Sequence, residues 1–263
     1  MPIKHIILPD FIIIGANKAG TTSVANYLNS NISINISTVK EPMFFNSLPS
    51  TISETKENAN LAKPYFALDI YEYSSLFESK NENIKIYGEA STAYLANPKR
   101  SALLMRKIVP NVKIIAILRE PTERAVSAYK MCYGNSIENR TFKDIVANAQ
   151  NELKIIDNHG VKEYIRNGLY SQLLEPYFSY FNSENILLLN YDELKYSPKI
   201  FMERISKFLN IELNHVNYTK KYNEASEHTS KREYPIDSED IQRLNSIYEE
   251  EKCILKEKYG FSF

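Results

Sequence analysis

Tryptophan is absent from this chain of 263 residues, only 2 cysteines and 7 glycines occur, and neither sign of charge is in excess. Each shortage removes possibilities. With 32 basic and 32 acidic residues the formal net charge is +0, so no general electrostatic pull draws the chain to nucleic acid or to an anionic membrane. Cys132 and Cys253 stand far apart and make neither a disulfide framework nor a metal-ligand spacing; both read as reduced thiols of a cytoplasmic protein. No apolar run reaches the roughly 20 residues that a membrane-spanning helix needs. Residues 1–14 lack the small-residue cleavage site of a secretory leader and read instead as a first strand. No internal period and no low-complexity stretch occurs, which sets aside solenoids. A single domain over residues 1–263 is expected, a length that buries a substantial core.

What is present is an alternation of strand-like and helix-like pieces. Residues 11–14, 32–36, 84–90, 112–118 and 186–190 read as strands, and the run 112–118, interrupted only by Lys113, has the character of a strand buried on both faces. Helical patterns cover 22–28, 65–77, 97–109, 122–132, 141–153, 170–181, 198–209 and 238–258. Pro98 suits a first helical turn and Thr141 a cap. The polar segments 49–63 and 220–233 read as a surface excursion and a loop, and Phe44-Phe45 as an aromatic pair at a loop edge. Strands alternating with helices predict a mainly parallel sheet covered on both faces, a three-layer α/β sandwich whose ligands sit beyond the carboxyl ends of the strands. Lys18, Glu89 and Arg119 fall at such ends.

The most informative stretch is GANKAGTTSV, residues 15–24. A strand breaks at Gly15 into a short loop, and Gly20 opens a helix, so backbone N–H groups and a helix start face one anion. The spacing from Gly15 to Gly20 is that of a nucleotide triphosphate loop, yet Thr21 stands where that loop needs lysine, and Lys18 lies inside the loop instead.

GANKAGTTSV resembles the 5′-phosphosulfate loop of the sulfotransferases, and ILREPTERAVSAY, residues 117–129, resembles their 3′-phosphate-binding strand, turn and helix. KEPMFF, YGEASTAYL, GLYSQLLEPYF, NYDEL, ISKFL and SKREYP extend the likeness over most of the chain. The pattern is most similar to the heparan-sulfate-type enzymes and their bacterial relatives. The resemblance implies a P-loop-like sulfotransferase fold and transfer from 3′-phosphoadenosine 5′-phosphosulfate (PAPS), leaving 3′-phosphoadenosine 5′-phosphate (PAP), to a hydroxyl or amine without a metal. The expected acceptor is a saccharide or other small molecule, with no nucleic-acid partner. Oligomeric state is left open.

Residue by residue, Lys18 would neutralise charge on the leaving oxygen. Ala19, Gly20, Thr21, Thr22 and Ser23 would hold the 5′-phosphate, and the resemblance assigns Arg119 and Ser127 to the 3′-phosphate. Arg124 reads as a solvated or ion-paired helix residue and is left out. The resemblance makes Glu41 the base that takes the acceptor's proton; Glu89 is the second candidate or an organiser of the site, and His228 competes on chemical grounds alone. A lysine that follows the family's counterpart of Glu89 is replaced by Ala90. Tyr170 matches a position near the nucleotide and serves equally well as a core aromatic. Lys231 and Arg232 stand for the family's nucleotide-covering segment. The competing classes are a P-loop kinase or NTPase and a nucleotide-binding subunit without catalysis.

Overall fold

The computed structural model describes residues 6–47, 69–149, 163–213 and 236–263. Five strands, β1 (Phe11–Gly15), β2 (Ile34–Ile36), β3 (Ile86–Ala90), β4 (Lys113–Leu118) and β5 (Ile186–Asn190), form one sheet in the order β2-β3-β1-β4-β5. All four pairings are parallel. β1 is buried at every position and β4 at all but its first, which is why both read as unbroken apolar runs. Eleven α-helices are described around the sheet: α1 (Thr21–Asn29), α2 (Phe44–Ser47), α3 (Ile70–Ser75), α4 (Ala93–Ala96), α5 (Pro98–Ile108), α6 (Pro121–Gly134), α7 (Phe142–Ala147), α8 (Tyr170–Tyr180), α9 (Tyr191–Tyr196), α10 (Pro198–Leu209) and α11 (Ser238–Tyr259). The expected α/β architecture is therefore the observed one.

This order decides where a ligand can sit. From β1 the chain moves toward β2, and from the adjacent β4 it moves the opposite way, toward β5. The two connections part at the carboxyl ends of neighbouring strands and leave a crevice there.

Local chemistry explains most boundaries. Proline occupies the first turn of α5, α6 and α10. Thr141 caps α7 in a reciprocal box with Asp144, as its position suggested, and Asp69 does the same with Glu72 at α3. Several expectations are corrected. The first strand, Phe11–Gly15, matches the run 11–14, whereas the second is only Ile34–Ile36 and not 32–36. Phe44 and Phe45 do not mark a loop edge: they begin α2 and are 1% and 0% exposed. The short helices α4 and α9 were hidden because each follows a strand after at most two residues, leaving no room for a helical period. Residues 65–68, 150–153, 49–63 and 220–233 lie outside the described residues.

Two apolar clusters result. One surrounds the sheet; the other gathers Ala125, Tyr129, Phe142, Tyr164, Leu244 and Tyr248 from α6, α7, the 163–168 turn and α11.

Candidate active site

The loop after β1 is built almost wholly from backbone. The Ala16 N–H donates to the Ile117 carbonyl at 2.7 Å, fastening the loop to β4, and the Ala19 N–H donates to the Ala16 carbonyl at 3.3 Å to close the turn. Lys18 and Gly20 adopt left-handed conformations, φ 66° and 79°. At Gly20 a side chain is excluded on two counts, since a Cβ there would meet Leu194 Cδ2 at 2.7 Å and Tyr191 Cε2 at 3.1 Å. α1 begins directly after it with no side-chain cap, so the partial positive charge of its first turn is not quenched by a capping oxygen. Thr21 is buried there, whereas Thr22 and Ser23 are half-buried.

Three cationic side chains converge on this loop. Lys18 Nζ donates to Met131 Sδ at 3.4 Å. Burial, and then the nearby Arg119 charge, hold its ammonium below the usual lysine pKa, with Cys132 acting the other way. Arg119 leaves the end of β4, donates from Nη1 to the Lys18 carbonyl at 3.2 Å, and lies 4.8 Å from the Tyr191 ring centre. Its Nε and Nη2 also donate to Glu123 Oε2 at 3.3 and 3.1 Å. Arg124, on α6, donates from Nη1 to Asn17 Oδ1 at 2.9 Å and from Nη2 to the Tyr164 carbonyl. Ser127 is half-buried between Arg124 and Met131 on one face of α6, by its three- and four-residue spacings from them.

The opposite side of β1 carries the acids. Glu41, left-handed at φ 58°, donates its N–H to the Ala90 carbonyl at 3.1 Å, which hangs the 41–45 segment on the end of β3. Its carboxylate accepts the Thr92 hydroxyl at 3.0 and 3.2 Å and pairs with Lys40 Nζ at 3.0 Å, and its side chain is 25% exposed. Glu89 is enclosed, at 0% exposure. It accepts the hydroxyls of Tyr73 at 2.6 Å, Tyr94 at 2.7 Å and Ser91 at 2.8 Å. Burial pushes its carboxyl up to about 7, against those three hydrogen bonds and with a smaller push from the Glu41 charge. Ser91 in turn accepts the Met43 N–H at 3.2 Å, and Phe44 stacks on Tyr73 at 4.1 Å between ring centres. The buried acid therefore anchors the segment that presents Glu41.

The structure thus brings Lys18, Gly20, Thr22, Ser23, Arg119 and Ser127 together and sets Glu41 across β1 from them. Three other residues are placed as follows. Ala19 is wholly buried and its N–H is spent inside the loop. Tyr170, also wholly buried, donates its hydroxyl to the Arg119 carbonyl at 2.9 Å, and burial pushes its phenol up to about 12; it braces Arg119 from behind. Arg124 is neither solvated nor ion-paired, being 0% exposed with no carboxylate partner among the described residues. Among the aromatic residues of 69–77 and 170–181, Tyr73, Phe77, Tyr170 and Tyr177 are core, each 0% exposed. Lys231, Arg232, His228 and the remaining histidines, His5, His159 and His215, lie outside the described residues. Sequence reasoning missed Asn17, Thr92, Met131 and Tyr191. Of these only Asn17 had a signal, a polar residue inside the loop; the others reach the site through tertiary packing.

A glycine-bearing loop between strand and helix, arginine at the next strand end and a lysine inside the loop define an anion-binding α/β transferase site. The sequence matches the sulfotransferase domain over residues 8–252, and the chain belongs to that family. It is 29% identical over 225 residues to the human bifunctional heparan sulfate N-deacetylase/N-sulfotransferase 2, an alignment spanning 81% of this chain and 23% of that protein. It is 35% identical over 128 residues to the membrane-associated sulfotransferase kil1 of Dictyostelium discoideum, covering 48% of this chain and 23% of the relative. The chain thus spans about a quarter of the length of these relatives. Among solved structures, the sulfotransferase from Alicyclobacillus acidocaldarius superposes with a TM-score of 0.78 at 24% identity, covering 98% of each chain. Mouse sulfotransferase SULT7A1, solved with PAP, gives 0.56 at 14% identity, covering 96% of this chain and 89% of that one. Both share the fold.

Proposed function

We propose that this protein transfers the sulfuryl group of PAPS to a hydroxyl or amine of a saccharide-containing acceptor, with Lys18 at the leaving oxygen and Glu41 as base. The observation that carries the reading is the division of charge across β1, with Lys18 and Arg119 at the ends of β1 and β4 and an accessible Glu41 hung from the end of β3. The residues present fit a nucleotide carrying phosphate groups: an uncapped helix start, half-buried hydroxyls on Thr22 and Ser23, and a buried Arg124 whose Nε has no partner among the described residues. PAPS supplies the activated sulfuryl group and the leaving phosphate.

The chain's own residues do the rest. The backbone of Gly20 to Ser23 and the hydroxyls of Thr22 and Ser23 hold the 5′-phosphate, while Arg119 and Ser127 hold the 3′-phosphate. Arg119 must exchange its exposed pairing with Glu123 for that dianion, an exchange helped by bidentate charge-assisted bonds. Lys18, already desolvated, swings from Met131 to the oxygen on which charge develops. Glu41, steadied by Thr92, takes the proton as the acceptor attacks. Glu89 keeps the Glu41 segment in place and does not itself reach the acceptor. A magnesium-dependent kinase would place a metal-binding carboxylate at the end of β4, where Arg119 stands. The heparan sulfate named for the relatives favours a saccharide acceptor. The free thiols of Cys132 and Cys253 favour a reducing compartment such as the cytoplasm.

The test is transfer of label from PAPS to panels of saccharides, small alcohols and amines. Metal-independent labelling of a saccharide is the expected result. Labelling of small alcohols alone would overturn the acceptor class, and no labelling of any acceptor by protein that binds PAP would leave the non-catalytic reading in possession.

A further inference from the structure

Arg124 is the one fully buried guanidinium among the described residues. Its Nη1 holds Asn17 Oδ1 at 2.9 Å and its Nη2 holds the carbonyl of Tyr164, while its Nε has no partner among the described residues. Neither partner is a carboxylate. An arginine keeps its charge under any physiological condition, so among the described residues a desolvated positive charge is held by dipoles alone. No ion pair joins Arg124 to a carboxylate among the described residues: Arg119 is a like charge that acts with Arg124 on the Tyr170 phenol, Glu120 is engaged by Lys252 at 2.6 Å, and the buried Glu163 beside Tyr164 lies 3.9 Å from Arg166. Such a charge is costly in the free protein, and an anion bound close by would remove the cost.

The position is specific. Asn17 directly precedes Lys18, whose left-handed turn aims the ammonium, and Tyr164 belongs to the 163–168 turn, which packs with α6 in the second apolar cluster. One guanidinium therefore ties the loop after β1 to the second apolar cluster, from inside the fold.

Building on the sulfuryl-transfer reading above, we propose that Arg124 is a positioning residue of the donor end: it fixes the Asn17-Lys18 turn and supplies a standing positive charge whose counter-ion is the phosphate of the bound nucleotide. Two consequences separate this from a merely structural brace. First, removing the charge weakens nucleotide binding without weakening the free protein, because an uncompensated buried charge contributes little stability of its own. Second, keeping the charge without the planar fork restores binding but not turnover, because lysine cannot hold Asn17 and Tyr164 together.

The experiment compares wild type, Arg124→Met, Arg124→Lys and Asn17→Ala, using PAP calorimetry, the melting temperature with and without PAP, and turnover at saturating PAPS. For Arg124→Met the expected result is an unchanged or raised melting temperature without ligand, PAP affinity lower by about tenfold, and a correspondingly smaller PAP-induced shift. Arg124→Lys recovers most of that affinity while turnover stays about tenfold down. If Arg124→Met does not fold, Asn17→Ala carries the test, since it removes only the loop-side bond; about a fivefold or greater loss of turnover supports the proposal and an unchanged turnover overturns it. A lower melting temperature in Arg124→Met with PAP affinity and turnover intact would also overturn it. Wild type that fails to bind PAP would instead sink the sulfuryl-transfer reading, whereas wild type and variants binding PAP alike would sink this inference alone.

Discussion

The two ends of the crevice solve the problem of holding charge in opposite ways. At the donor end, positive groups are gathered around a loop of backbone amides and few hydroxyls: Lys18 rests on a thioether, Arg119 on an aromatic ring and Arg124 on an amide oxygen and a carbonyl. The one carboxylate among the described partners is the exposed Glu123 that Arg119 gives up, so the end stays ready for an anion. At the acceptor end, two carboxyls are saturated with donors. Glu89 takes three hydroxyls and Glu41 takes a hydroxyl and an ammonium. The donor end is left electrostatically incomplete, while the acceptor end is made complete and rigid. That difference suits a reaction in which a charged nucleotide must be drawn in and a small base must stay put.

The sharpest way to break the contrast is at Lys18. Lys18→Ala is expected to lower turnover about a thousandfold while PAP affinity changes less than about fivefold, measured by single-turnover kinetics and calorimetry. Equal losses in both would mean that the lysine only binds. Next, Glu41→Gln should cost about a hundredfold in turnover and leave PAP binding untouched, because its carboxylate lies on the other side of β1. An active variant would move the base elsewhere.

Glu89 offers a test that does not need the acceptor. Its carboxyl lies at about 7 in the folded protein against 4.5 as a free side chain. Between those values the folded state holds the extra proton, so this group's contribution makes folding less favourable as pH rises through the window, and the cost is fully present above about 7. The shift corresponds to a penalty on the order of 3 kcal/mol. Glu89→Gln should flatten that part of the stability curve, read from denaturant midpoints at pH 5 and pH 8; a wild-type slope retained in the variant would contradict the assignment. Smaller effects follow at the edges. Thr92→Val releases the Glu41 carboxylate and should reduce turnover about fivefold with unchanged folding stability. Glu123→Gln frees Arg119 from an exposed pair, so PAP affinity should rise less than about threefold, and a loss of affinity would show that Glu123 positions the guanidinium.

The same contrast explains what could be read from the sequence. The donor loop and the β4-to-α6 turn are local: a strand, a few residues and a helix start carry their own chemistry, so Lys18, Gly20 and Arg119 stand out. The strands β1, β4 and β5 were legible for a similar reason, being apolar runs, the first two buried along almost their whole length. The acceptor end is assembled from residues 41, 73, 89, 91, 92 and 94, and no spacing announces that Tyr73 and Tyr94 close over Glu89. Arg124 was misread because a helical arginine usually faces water; its burial depends on a second apolar cluster contributed partly by α11, more than a hundred residues later. Phe44 and Phe45 were misplaced because a four-residue helix is too short to show a period.

The central claim is that the donor end is made for a nucleotide bearing a 3′-phosphate and works without magnesium. Calorimetric titration of the protein with PAP and, separately, with ATP plus magnesium tests this most directly. The account predicts PAP binding tighter by at least about tenfold and insensitive to magnesium; tighter binding of ATP with magnesium would contradict it.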